Sequence, residues 1–186
     1  MGFLAQEGFS YNAQKDIESS YFSADVSERE IARNLDYQAQ KEEYSGKQKK
    51  HTVKNLVICN DNKEIVFLSE LYEGSTHDKT ILDDLEIETQ GRNILLDLGF
   101  QGTEIKEAIL PFKKPKKQDL SPLQKEINKA LSRIRVGVEN AFAGVKILHI
   151  VANKIRLKCN QVRQRIFRIA VGLYNFRLKK YINNKP

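Results

Sequence analysis

An aspartate follows a short apolar segment in the middle of the chain. Asp97 lies in the stretch "NILLDLGFQG", directly after the apolar residues 94–96 and before two glycines. A short apolar run bounded by turn residues is typical of a buried strand, and α/β sheets bind their ligands at the carboxyl ends of such strands. A carboxylate at this position therefore indicates a catalytic or ligand-binding site.

A second acid lies near the amino end of the chain. In "SYFSADVS", residues 20–27, the β-forming residues Tyr21, Phe22 and Val26 surround Asp25. This pattern predicts a strand whose far end carries the acid. If that strand neighbours the one before Asp97, the two carboxylates leave the sheet at related edges.

A third acid lies on a predicted helix. At about 100° per residue, Arg135, Glu139 and Lys146 fall within a narrow arc beside an apolar stripe. Glu139 has two interpretations at this point. It forms an ion pair on the helix surface with a basic residue one turn away, or it joins the other two acids in a site.

Three converging carboxylates would have a specific chemistry. They repel one another unless divalent cations share them, and hard oxygen ligands suit magnesium or manganese. Two such ions, about 3.5–4 Å apart, activate water or a hydroxyl group and stabilise the leaving oxygen of a phosphodiester. The acids would then form a two-metal phosphoryl-transfer site.

The elements that must position these acids follow from local patterns. Residues 52–59 and 64–71 are rich in β-forming side chains and flank a turn-forming "NDN", which predicts a hairpin. The charged stretch before it, from Glu28 to Lys50, is predicted to be a surface excursion. Ser75 and Asp78 have capping-box spacing, which predicts a helix start there. Residues 1–20 are predicted to be a polar lead-in with a short helix.

The last third of the chain is predicted to be helical. Ser121, Pro122 and Gln124 form a second capping-box start. An apolar stripe expected to face the core follows at steps of three and four: Ile127, Leu131, Ile134, Val138, Phe142 and Val145. A terminal helix repeats the pattern with Val162, Ile166, Ile169, Leu173 and Phe176.

Composition narrows the class of protein. A chain of 186 residues with 40% hydrophobic content can bury one core, which predicts one domain. The net charge of +7 favours an anionic partner such as nucleic acid. Two basic segments are candidate DNA contacts, with a solvated charged surface as the alternative: Lys47, Lys49, Lys50 and His51, and Lys113, Lys114, Lys116 and Lys117.

Several other classes have little support in the sequence. Cys59 and Cys159 are far apart and lack CxxC spacing, so neither a disulfide framework nor a zinc ribbon is predicted. No segment approaches the ~20 apolar residues of a membrane span, and an intracellular location is expected. The sequence also lacks a P-loop and a dinucleotide fingerprint.

Six blocks of the sequence together resemble a known family. They are "ADVSEREI", "YSGKQKKHTVKNLVI", "GSTHD", "LLDLGFQG", "LSRIRVGVENAFAGVK" and "FRIAVGLYNFRL". In this order they resemble the catalytic domain of DDE-type transposases of bacterial insertion sequences, in the group related to Harbinger elements. The resemblance runs from about Tyr21 to Leu178. It implies an α/β fold of the ribonuclease-H-like kind, with a mixed sheet and flanking helices.

The resemblance also assigns roles by position. Asp25, Asp97 and Glu139 take the slots of the three catalytic, metal-binding acids, and Arg135 and Lys146 match the basic residues flanking the last one. Asp78 remains open, either as a helix cap or as the middle acid in place of Asp97. The neighbouring residue, His77, contacts phosphate or caps the helix.

The implied function is that of a metal-dependent transposase. Residues 21–181 would form the catalytic domain, with 182–186 as a tail. The domain would use two Mg²⁺ (or Mn²⁺) ions to cleave double-stranded DNA at the ends of a mobile element and to transfer the freed strand. A homodimer or larger synaptic complex, no membrane partner, and a cytoplasmic, nucleoid-associated location are expected. The alternative is a truncated or domesticated remnant that binds DNA or a partner transposase without catalysis.

Overall fold

The computed structural model describes residues 19–85 and 87–184. The predicted lead-in therefore falls almost entirely outside the described residues, as does its short helix. No helix within the described ranges is long and apolar enough to cross a membrane.

The centre of the fold is a seven-stranded mixed sheet. Its strands are β1 (Tyr21–Glu30), β2 (Tyr44–Ser45), β3 (Lys50–Asn60), β4 (Ile65–Leu68), β5 (Tyr72–Glu73), β6 (Asn93–Leu95) and β7 (Ala108–Ile109). The order is β2-β3-β1-β6-β7, and β4 and β5 also pair with β3. β1 is antiparallel to β3, whereas β1, β6 and β7 are parallel neighbours. This mixed sheet with flanking helices confirms the predicted fold class.

Helices cover both faces of the sheet. They are α1 (Tyr37–Glu43), α2 (Asp78–Asp84), α3 (Pro122–Lys146), α4 (His149–Ala152) and α5 (Asn160–Asn183). Successive strand residues point to opposite faces, so Leu56 packs in the cluster that contains α2, and Val57 in the cluster that contains α3 and α5. The sheet thus separates two hydrophobic cores.

Several local predictions are confirmed. β3 and β4 form the predicted hairpin, and the Asn60 side chain accepts a hydrogen bond from the Glu64 amide across its turn at 2.9 Å. Ser121 and Gln124 form the predicted capping box at the start of α3.

The first strand is longer than predicted. β1 continues to Glu30, so Asp25 lies in the middle of the strand rather than at its end, and Arg29 is buried at 4% exposure instead of lying on a surface excursion. The extension is stabilised by β3: Thr52 donates a hydrogen bond to Glu28 at 2.6 Å, and the Arg29 guanidinium bonds to Asn55. Charged residues can continue a strand when its neighbour provides polar partners.

The predicted start of α2 was wrong. The helix begins at Asp78 with His77 at its N-cap, and the His77 side chain makes no capping hydrogen bond. Ser75 and Asp78 therefore do not form a capping box. The Asp78 carboxylate instead accepts a hydrogen bond from Lys54 on β3, a partner that local spacing does not reveal.

The predicted apolar stripes are only partly correct. In α3, Val138, Phe142 and Val145 are buried, but Ile127 and Ile134 are exposed because only the second half of the helix packs on the sheet. In α5 the predicted stripe is largely on the surface, with Ile169 and Phe176 61% and 67% exposed. The buried face consists of Arg163, Gln164, Phe167, Ala170 and Val171.

Polar partners explain the choice of face in α5. The Gln164 side chain bonds to Asn55 and to the Ser69 carbonyl, and Arg163 donates to the Leu157 carbonyl at 2.7 Å. A helix with apolar residues on two faces can bury either face. These hydrogen bonds satisfy the polar side chains of the face that is buried in the structure.

We expect Phe167→Ala to destabilise the protein strongly, because Phe167 is 1% exposed and its loss leaves a cavity in the core. The predicted cost is about 3–5 kcal/mol in the free energy of unfolding. Phe176→Ala removes the same atoms from an exposed position and should change it by less than about 0.5 kcal/mol. Urea denaturation of both variants measures the difference; equal losses would contradict the assigned face.

Candidate active site

The register between β1 and β6 brings Asp25 and Asp97 to the same place. Their parallel pairing covers three residues and ends at Ser23 and Leu95. Each aspartate lies two residues beyond that last pair, so both lie on the sheet face of Ser23 and Leu95. Paired parallel strands are about 4.8 Å apart. The two carboxylates therefore stand side by side where the strands separate.

A tight turn fixes the Asp97 side chain. Asp97 caps the single 3₁₀ turn at Leu98–Phe100, and its Oδ1 accepts a hydrogen bond from the Gly99 amide at 2.7 Å. A Cβ atom at Gly99 would lie 2.8 Å from Asp97 Oδ1, so glycine is required for this approach. The buried side chains of Leu96 and Phe100 anchor the turn on both sides. Among the described residues, Oδ2 of Asp97 has no hydrogen-bond partner.

Asp25 is partly buried and lies near two other acids. Burial is the main reason that the pKa of Asp25 is raised to about 6, and the charges of Asp97 and Asp78 also raise it. The Val26 amide, which donates to Asp25 Oδ1 at 2.8 Å, and the Arg135 charge lower this pKa. Proximity to four charged or polar groups places Asp25 at the centre of the site.

Asp78 joins the two predicted strand acids. Lys54 Nζ donates to Asp78 Oδ1 at 3.0 Å and to the Thr76 carbonyl at 2.7 Å. The other oxygen of Asp78, Oδ2, would be 3.4 Å from a Cβ atom at Gly99, so it faces the same glycine as Asp97. The structure therefore gathers three aspartates around the end of β6.

Lys54 is the residue that the sequence interpretation missed. It is only 5% exposed, although it carries an ammonium group. The available signal was a lysine in the middle of "TVKNLVI", a run that otherwise favours a buried strand. A buried lysine is rare unless it is paired, and the pairing partner here is Asp78.

Glu139 does not contact the aspartates. It is exposed on α3, one turn after Arg135, and neither side chain forms an ion pair with any residue that the structure describes. The surface ion-pair interpretation is therefore not observed. The Arg135 Nε atom is buried without a hydrogen-bond partner in the described chain, and its charge reaches Asp25. Lys146 is exposed at the end of the helix.

The oxygen atoms present suit a hard divalent cation. Within the described ranges, no three histidine, cysteine, aspartate or glutamate side chains come close enough to enclose a metal ion. However, Asp25 and Asp97 each have one carboxylate oxygen tied to a backbone amide and the other without a described partner. One or two carboxylates with water completing the shell is the usual Mg²⁺ arrangement. The donor set therefore fits magnesium or manganese.

Both predicted basic segments flank this site. Lys47 and Lys49 lie on the turn between β2 and β3, and Lys47 Nζ is 3.9 Å from Asp78 Oδ2. Lys50 is paired with Glu30 at 2.7 Å, and the His51 ring packs edge-on against Tyr44. Within this segment, Lys47 and Lys49 therefore have the fewest contacts that would compete with a DNA phosphate.

The second basic segment is a loop tied to the Asp97 turn. Lys113 Nζ donates to Gln101 at 3.0 Å, directly after the 3₁₀ turn, and Asn128 holds the Phe112 backbone through both its amide and its carbonyl. Lys114 pairs with Asp119 at 2.5 Å. Lys116 and Lys117 are exposed, without a described ion-pair partner.

Comparisons with known proteins agree with this architecture. Residues 24–175 match the family model described as DDE superfamily endonuclease. The chain is 35% identical over 158 residues to a "Probable transposase for insertion sequence element IS702" from Microchaete diplosiphon. That alignment covers 83% of this chain and 56% of the relative, so the chain spans about half the relative's length. No solved structure matches the chain significantly.

The raised pKa of Asp25 predicts a pH-dependent stability in the presence of a chelator. Because the folded state binds this proton more tightly than the unfolded state, the contribution is stabilising below about pH 4 and is lost as the pH rises to about 6. Asp25→Asn, which is neutral at every pH, should therefore raise the free energy of unfolding at pH 7 by about 1–3 kcal/mol.

Urea denaturation between pH 4 and 8 measures this difference. The gain should shrink towards pH 4, where the wild-type carboxyl is also largely protonated. The control is Asp119→Asn, whose carboxylate is exposed and paired with Lys114; it should change the stability by less than about 1 kcal/mol. A destabilised Asp25→Asn variant at pH 7 would contradict the assigned environment.

Proposed function

The chain belongs to the DDE superfamily of endonucleases, and from this premise we propose that it is the catalytic domain of an insertion-sequence transposase. The observation that carries the proposal is the β1–β6 register, in which Asp25 and Asp97 each lie two residues beyond the last parallel pair. Its reaction would be metal-dependent hydrolysis of a phosphodiester bond at the end of a mobile element. The freed 3′ hydroxyl would then attack target DNA in a second in-line displacement.

Asp25 and Asp97 would hold the divalent cations through their free oxygens, with Glu139 as the third acid. Bound Mg²⁺ or Mn²⁺ would supply an activated hydroxyl nucleophile and stabilise the leaving oxygen. Arg135, whose charge already reaches Asp25, would orient Glu139 or a DNA phosphate. Lys146, at the end of the same helix, would contact the phosphate backbone.

We assign Asp97 rather than Asp78 as the middle acid. Asp97 follows the parallel strand next to Asp25, and its Oδ2 atom has no partner in the described chain. Asp78 has Oδ1 bound by a buried ammonium group and Oδ2 within 3.9 Å of Lys47. An acid already compensated by lysines is a poorer cation ligand, because the positive charge competes for its oxygens. His77 would contact phosphate beside it.

The DNA path would run between the two basic segments. Lys47 lies beside Asp78, with Lys49 on the same turn, and the loop with Lys113, Lys116 and Lys117 is tied to the residue that follows the Asp97 turn. Such contacts to phosphates are largely independent of sequence, so recognition of the element's ends requires further contacts. A homodimer or larger synaptic complex, acting on double-stranded DNA in the cytoplasm, completes the proposal.

Plasmid nicking tests the catalytic assignment. The purified chain should nick supercoiled plasmid in the presence of Mn²⁺ or Mg²⁺ and not with EDTA. Asp25→Asn, Asp97→Asn and Glu139→Gln should each reduce the nicking rate by about 100-fold or more, because each removes a proposed metal ligand. Glu126→Gln, an exposed position on the same helix as Glu139, is the matched control and should nick normally.

The outcomes separate the candidate functions. Equal nicking by Asp97→Asn and wild type would contradict the assigned site. DNA binding without nicking by any form would favour the non-catalytic remnant.

Salt dependence tests the DNA path. Replacing Lys116 and Lys117 with Gln should weaken DNA binding and reduce the slope of log K against log salt by up to about 0.9 per lost phosphate contact. The matched control is the double replacement of Lys179 and Lys180 with Gln at the far end of α5, which removes the same charge. Fluorescence anisotropy with duplex DNA at several salt concentrations measures both. Identical slopes for the two double variants would place the DNA elsewhere.

A further inference from the structure

The buried lysine of β3 is the strongest feature that the proposed function does not yet use. Lys54 lies in the middle of the longest strand, with its side chain 7% exposed, and its ammonium group has two described acceptors, Asp78 Oδ1 and the Thr76 carbonyl. Burying an ammonium group is costly unless a nearby negative charge compensates it. The burial of this lysine against Asp78, at the edge of the site, therefore calls for an explanation.

Other acids near Lys54 do not serve as its partner. Glu28 is its register neighbour on β1, but the Glu28 carboxylate accepts a hydrogen bond from Thr52 and forms no ion pair with any described lysine. Asp25 and Asp97 are tied to the backbone amides of Val26 and Gly99. Asp78 is thus the acid to which Lys54 is matched.

The same arrangement affects the other aspartates. Asp78 Oδ2 faces Gly99, against which Asp97 also packs. A negative charge there adds to the field at both strand acids, and the Lys54 charge offsets it at close range. Lys47 also approaches Asp78, but its side chain is 71% exposed and its effect is screened by water.

We propose that Lys54 is a positioning residue that acts as the internal counter-charge of the site: through Asp78 it limits the negative charge that Asp25 and Asp97 present to a divalent cation. This inference rests on the proposed function. It assigns Asp78 and Lys54 a joint role in setting cation affinity, distinct from that of a metal ligand. With the charge of Asp78 compensated by Lys54, Asp25, Asp97 and Glu139 remain to hold the ions.

The opposite charges of the pair give opposite expected effects. Lys54→Met leaves the Asp78 charge unbalanced, so Mn²⁺ should bind about three- to tenfold more tightly. Asp78→Asn leaves the Lys54 ammonium unbalanced, so Mn²⁺ should bind more weakly by a similar factor. The double variant should return to within about twofold of wild type, because the net charge of the pair is restored.

Mn²⁺ titration of the full chain, by calorimetry or by electron paramagnetic resonance, measures these affinities without DNA or turnover. Thermal melts confirm that each variant is folded. If Lys54→Met does not fold, the comparison of Asp78→Asn with the double variant still tests the charge argument. Lys79→Met, the neighbouring residue on α2, removes the same charge from a lysine paired with Asp83 and should leave the affinity unchanged.

The results distinguish the two proposals. Weaker binding in both single variants would show a purely structural role and overturn the counter-charge inference. Unchanged binding in both would overturn it equally, while the proposed function stands if Asp97→Asn abolishes binding. Absence of Mn²⁺ binding to the wild-type chain would overturn the proposed metal chemistry, and the inference with it.

Discussion

The parallel register between β1 and β6 is the constraint on which the site depends. It covers three residues, and a shift of one residue would turn one aspartate to the opposite face of the sheet. The register is fixed by the core rather than by the acids. Phe22, Ala24, Ile94 and Leu96 all pack into the hydrophobic cluster on the other face, and a shift of one residue would turn Ile94 and Leu96 away from it. Burial on one face therefore positions the chemistry on the other.

The sheet face that carries Asp25 and Asp97 is more polar than a structural core requires. Besides Asp25, β1 directs Ser23, Ser27 and Arg29 to this side, and Arg29 lies 3.9 Å over the ring of Phe167. The pKa of Arg29 is lowered to about 10, mainly by burial and also by the charge of the nearby Arg163. On this face of β1, Asp25 thus lies just beyond the last pair with β6, and Arg29 lies against α5. This separation keeps the acidic site free of a direct arginine partner on its own strand.

The predictable parts of the structure are those fixed by neighbours in sequence. The strand before Asp97, the β3–β4 hairpin and the capping box of α3 each depend on residues a few positions apart. The wrong predictions depended on distant partners. Ser75 and Asp78 have capping spacing, but Asp78 is bound by Lys54, 24 residues away. The buried face of α5 depends on the hydrogen bond between Gln164 and Asn55, which are 109 residues apart.

Two of the three aspartates lie close to a cation that the chain provides. Asp78 is held by Lys54, and Asp25 has Arg135 in its field as well as a backbone amide. Glu139 has no ion-pair partner among the described residues and lies in water. Each further carboxylate increases the repulsion among the acids, so one without a compensating charge is most stable where the solvent screens it. Helical periodicity could place Glu139 beside the core, but its separation from the aspartates depends on how the helix packs against the sheet, which periodicity does not contain.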